Sequence, residues 1–148
     1  MIARGCEGIK PGWVRVTFNY FISEAVFEFL LAAVDLVARD GWRLLPQYRF
    51  EPATGLWRHR GGAPEPPLSL RDVRYDDGRM SYAAHRHREP EARLADSLEE
   101  ARSILADPPP APEGIGGALE VGVDFENLRW FWLPVEAAEA LSGMGGSA

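Results

Sequence analysis

The chain has 148 residues, of which 46% are hydrophobic, 11% aromatic and 26% charged. That is one domain of ordinary size; it rules out global disorder and leaves no room for two full domains. Sixteen basic against 22 acidic residues give a formal charge of -6, the wrong sign for a nucleic-acid surface or an anionic bilayer, so neither is an expected partner. Cys6 is the only cysteine and excludes an internal disulfide. Residues 1–12 carry no apolar run of the signal-peptide kind, and the longest strongly apolar stretch without a charge, residues 29–34, is far short of the about 20 residues a membrane span needs. A soluble, cytoplasmic chain is the expectation.

Taken in chain order, residues 13–20 follow a Lys10-Pro11-Gly12 turn signal and are dense in β-branched and aromatic side chains, which predicts a strand. Ser23 offers an N-cap to a helix over residues 24–40, stopped at Gly41. Its charges Glu24, Glu28, Asp35 and Arg39 fall on one narrow stripe at about 100° per residue, and the rest of the circumference is apolar. Such a helix must be covered on several sides. Residues 48–60 form two short alternating arms about a Pro52-Ala53-Thr54-Gly55 turn, a hairpin by its turn chemistry.

After a Gly/Pro-rich connector, residues 61–67, a second hairpin is predicted from residues 68–75 and 79–84 around Asp76-Asp77-Gly78. Leu94, Leu98, Ala101 and Leu105 give residues 90–106 the spacing of an amphipathic surface helix. Residues 107–117 read as a loop: Gly114-Ile115-Gly116-Gly117 precedes a predicted strand, residues 119–125, and so lacks the strand-to-helix geometry of a phosphate-binding turn. A last helix starts at Pro134 and runs to about Leu141, and residues 142–148 are expected to be a disordered tail. Hairpin-paired strands without regular helix alternation predict an α+β fold, a small antiparallel sheet packed by two or three helices. The expected organisation is a strand-helix-hairpin unit over residues 1–60, the connector 61–67, and a hairpin-helix-strand-helix extension over residues 68–141 packed on the first unit.

Residues 4–23, with Gly12-Trp13-Val14-Arg15-Val16-Thr17 leading through a short turn to Ser23 and an apolar helix, resemble the C-terminal domain of class V aminotransferases. These are fold-type I enzymes dependent on pyridoxal phosphate and include cysteine desulfurases and selenocysteine lyases. The family's G-x-x-R-[AV]-[ST] strand enters a helix in the same way, and residues 41–50, 55–60 and 128–134 are similar to a bacterial subgroup of class V-fold enzymes. The resemblance covers most of the chain. It implies a small C-terminal domain, a truncated chain without the large domain that holds the cofactor as a Schiff base on lysine; the intact enzyme would act on an amino acid, and the domain's partner would be a large pyridoxal-phosphate-binding domain or a homodimer mate. It also implies that Arg15 pairs with the substrate α-carboxylate, for which the guanidinium offers two parallel hydrogen bonds. Without the resemblance, Arg15 reads as a strand arginine whose stem covers an apolar neighbour. The alternative from a different class is a stand-alone, non-catalytic α+β module that binds a protein partner.

No residue of the chain is assigned a catalytic role. Lys10, the only lysine, lies in a Gly-Pro turn, whereas a Schiff-base lysine needs burial or charged neighbours to lower its pKa; no cofactor is expected on this chain alone. Cys6 has no nearby histidine to favour its thiolate and reads as a structural or incidental thiol. His85 and His87 alternate with Arg86 and Arg88, as His59 sits between Arg58 and Arg60, and that positive setting with too few ligands argues for solvated side chains over a metal site. Trp130, Phe131 and Trp132 read as core or as a lid over the first sheet.

Overall fold

A computed structural model describes residues 7–62, 70–82, 90–115 and 122–145. The fold is α+β: among the described residues there are two separate two-stranded antiparallel sheets and four α-helices. Helix α1 (Glu24–Asp40) opens on Ser23, whose hydroxyl accepts from the Val26 N–H at 3.2 Å, so one of the first orphan donors of the helix is satisfied as expected of a serine N-cap. The chain then tightens at Gly41 into a 3₁₀ segment, Gly41–Gln47, in which Pro46 is wholly buried. Strands β1 (Tyr48–Glu51) and β2 (Leu56–His59) follow as the predicted hairpin, with Phe50 opposite Trp57. Its turn needs a positive φ at Gly55 (+72°), where a Cβ would also press on the backbone of Glu7 and Gly8.

The second hairpin is shorter than predicted. Strands β3 (Arg74–Asp76) and β4 (Arg79–Ser81) join through Asp77 and Gly78, both with positive φ, the turn that matches the strand twist. Every residue of both strands is exposed. Residues 70–72 form a 3₁₀ turn instead of strand. Helix α2 (Leu94–Ala106), entered through a 3₁₀ turn at Glu91–Arg93, packs against α1. Leu36 and Leu105 are the buried residues of these two helices.

Two predicted strands are not strands. Residues 119–121 lie outside the described residues, but Val123–Leu128 is a helix, α3, with the Phe125 and Glu126 N–H groups donating to the Gly122 carbonyl. Asp124 and Glu126 in its first turn favour the positive end of the helix dipole, and a single buried side chain, Phe125, suffices to anchor six residues. Residues 13–20 are the second case: from Pro11 to Asn19 the backbone has no regular structure, turn or bend. A strand exists only beside a partner, and among the described residues each ladder stops at two strands.

Helix α4 (Pro134–Gly145) begins at Pro134 as expected, and lies on the Gly41–Gln47 segment and β1. It extends through Ser142 and Gly143 to Gly145, so those residues are helical and not the disordered tail expected from residue 142 onward; Ser142 donates to the Ala138 carbonyl at 2.9 Å. The core joins the two ends of the chain: Phe50, Phe125 and Leu133 are buried together, flanked by Ile9, Trp57, Phe131 and Val135. Phe50 has its ring 4.7 Å from Trp57 and 5.1 Å from Phe131. Phe131 thus covers the first hairpin, while Trp132 sits edge-on to Trp42 and Trp130 donates its indole N–H to the Ile9 carbonyl.

Candidate interaction surface

The N-terminal 3₁₀ turn, Glu7–Ile9, is tied to the body. Gly8 N–H donates to the Pro52 carbonyl at 3.0 Å, the Ile9 carbonyl accepts from Trp130, and a Cβ on Gly8 would fall 2.5 Å from the Phe50 ring. At the other end, Ser23 fixes the start of α1. Between these anchors the chain leaves the body. Trp13 is 75% exposed, Val14 91%, Tyr20 90% and Phe21 75%, and no backbone group from Trp13 to Phe18 makes a hydrogen bond among the described residues. The segment ends where the Asn19 carboxamide oxygen accepts from the Phe21 N–H.

In sequence, Val14, Val16, Phe18 and Tyr20 fall at one parity; Arg15, Thr17 and Asn19 fall at the other, flanked at the same parity by Trp13 and Phe21. Among the described residues the one tertiary aromatic contact of this run is Phe18 edge-on to Phe27 of α1, 5.0 Å between ring centres. Phe27, Leu30, Leu31, Val34 and Val37 recur at three- and four-residue spacing along one flank of α1, the spacing by which a helix offers a seam to a neighbour. Leu31, Val34 and Val37 on that flank are exposed, because α2 and the Gly41–Gln47 segment take the other side of the helix. The cover that an apolar circumference demands is therefore present on one side of α1 and missing on the other. The exposed apolar flank adjoins the open segment at the Phe18–Phe27 contact.

Arg15 sits in this open segment, exposed, with its guanidinium carbon 4.8 Å from the centre of the Trp13 ring. Among the described residues no carboxylate pairs with it, so its donors face solvent. Lys10 is exposed at the start of the same segment. His59 is held by the fold, its Nδ1 accepting from Gly61 N–H at 3.0 Å and its ring edge-on to Tyr48, while Arg60 donates to the Tyr48 carbonyl. Cys6, His85 and His87 lie outside the described residues. No group of three His, Cys, Asp or Glu side chains is placed to hold a metal ion among the described residues, and no described helix is long and apolar enough to cross a membrane.

Two clefts lie away from this segment. One of about 560 Å³ is open between Arg43, the Asp107–Pro110 turn and the end of α4, and a smaller one of about 220 Å³ lies between α1 and α2 beside Arg39, Arg43 and Arg102. Neither is lined by Arg15 or Lys10. Arg43 borders both, its Nε buried without a hydrogen bond and 3.9 Å from Asp40; nothing in the sequence distinguished it from fourteen other arginines. Lys10, the only lysine of the chain, is exposed and lines neither cleft.

Comparison with protein-family models, with curated proteins and with solved structures finds no match in any of the three.

Proposed function

We propose that this chain is a non-catalytic α+β interaction module that works docked on another protein surface through residues 13–21 and the open flank of α1. The observation that carries this reading is a nine-residue segment, residues 13–21, anchored at both ends: among the described residues its backbone groups from Trp13 to Phe18 make no hydrogen bond, and its large apolar side chains stand in solvent. Bringing such a surface against a second surface removes several large apolar side chains from water, each worth about 1.5–3 kcal/mol when fully covered.

The test separates docking surface from core. In dilute solution, where the chain is a monomer, the combined variant Val14→Ser, Tyr20→Ser, Phe21→Ser is expected to unfold in denaturant within about 0.5 kcal/mol per site of the parent, and to bind less of a hydrophobic-surface dye. A loss of more than about 2 kcal/mol in total would mean that these side chains belong to the monomer's own packing.

A second reading draws support from Arg15, an exposed guanidinium without a carboxylate partner among the described residues. Here the module is the small domain of a class V, pyridoxal-phosphate-dependent enzyme, a transferase or lyase acting on an amino acid, with Arg15 taking the substrate carboxylate and a separate large domain supplying the lysine. On this reading too, adding pyridoxal phosphate to the purified chain yields no stable, saturable Schiff-base band. A stable, saturable band abolished by Lys10→Ala would instead make this chain a cofactor-binding protein in its own right.

A further inference from the structure

We infer that the occupant of the open segment is a second copy of this chain, the two segments pairing antiparallel across a two-fold axis at Thr17. This deepens the interaction reading above and rests on it. The sequence around Thr17 is self-complementary in the one way an antiparallel ladder requires. With Thr17 opposite Thr17 of the second copy, Val16 faces Phe18, Arg15 faces Asn19 and Val14 faces Tyr20, and by symmetry each pair occurs twice. β-Branched against aromatic side chains, and threonine against threonine, are pairs that stabilise a ladder. Arg15 meets an amide and not another cation. A shift of one residue would set Val14 against Asn19 and Arg15 against Phe18, mixing the two faces.

The backbone is ready for the pairing, since the groups from Trp13 to Phe18 have no partner to give up among the described residues. An unpaired run of this composition is itself a template for a second strand. The area is adequate as well. At their observed exposures Trp13, Phe18, Tyr20 and Phe21 present together about 550 Å², and Val14, Val16 and the α1 flank bring the patch near the about 800 Å² per partner of a stable interface. The ribbon's apolar face, Val14, Val16, Phe18 and Tyr20, would lie over that flank, where Phe18 already meets Phe27.

Sedimentation of the full chain at about 100 µM is expected to give twice the 16.4 kDa monomer mass. With the Thr17 pair at a hydrogen-bonded position of the ladder, Thr17→Pro removes the donor at the axis and is expected to weaken association about 100-fold, with unchanged monomer unfolding because the Thr17 N–H bonds to nothing in the monomer among the described residues. Cross-linking fixes the register. In a Cys6→Ser background, Thr17→Cys places two thiols within the Cα separation a disulfide spans, whereas two copies of Arg15→Cys stand about 13 Å apart; oxidation should join the first and not the second. A monomer at 100 µM, a dimer indifferent to Thr17→Pro, or equal cross-linking at both positions would each overturn the inference. A monomer whose residues 14, 20 and 21 still tolerate serine would leave the docking surface standing without self-pairing; a monomer that unfolds on those substitutions would remove both.

Discussion

Phe50→Ala is expected to cost about 3–5 kcal/mol, a large share of the about 5–15 kcal/mol that holds a domain of this size. Phe50 is 6% exposed and joins elements far apart in sequence: Trp57 from the paired strand, Phe125 from α3 and Phe131 from the run before α4 all stack on its ring. The Glu7–Ile9 turn closes the cluster from the opposite end of the chain, with Gly8 against the ring tip. Removing the ring leaves a cavity that β1 and α3 cannot both collapse into. Equilibrium denaturation should show the loss at unchanged cooperativity. A cost below about 1 kcal/mol would mean that the two chain ends do not share one core.

The second large effect is electrostatic. Arg129 has a side chain only 14% exposed and bridges three acceptors: Glu126 at 2.9 Å, Glu136 through both its terminal nitrogens at 2.6 and 2.7 Å, and the Phe131 carbonyl. Glu136 in turn accepts from the Leu133 N–H at 2.7 Å, the reciprocal half of a capping box at the start of α4. Hydrogen bonds from Arg129 hold the Glu136 carboxyl below its ordinary pKa against its partial desolvation, and Glu136 raises the pKa of Arg129. Arg129→Met, which keeps the stem and removes the fork, is expected to cost about 2 kcal/mol, discounted because Glu136 remains partly in water. Because the folded-state pKa of Glu136 is lowered, its contribution is complete above the usual carboxylate pKa of about 4.3 and fades as pH falls through the lower folded value. Glu136→Gln should therefore lower the thermal midpoint at pH 7, and the gap should close under acid. A gap independent of pH would remove the ion pair from the account.

How much of this was legible in the sequence depended on range. Ser23, the apolar run behind it and Gly41 write α1 locally, and Pro52 to Gly55 write the first hairpin, so both stand where expected. The pattern of residues 13–20 was equally clear, yet a strand is a relation between two segments, and the second is absent among the described residues. Alternation at Val123 and Phe125 misled because a six-residue helix with one buried side chain and a short strand present almost the same pattern. The demand of α1 for cover on several sides was readable in its apolar circumference, and its exposed flank is where that demand remains unmet. The Arg129 network went unread; its trace was the acidic residue three places after Leu133, across Pro134.

Backbone amide exchange distinguishes an open segment from a folded one. In the isolated chain, diluted until it is a monomer, the amides of residues 13–19 should exchange at nearly unstructured rates, while those of α1 and the β1–β2 ladder exchange only through wider opening. Protection of residues 13–19 equal to that of the ladder, in the monomer, would mean that the segment is part of the fold and not a surface held open for a partner.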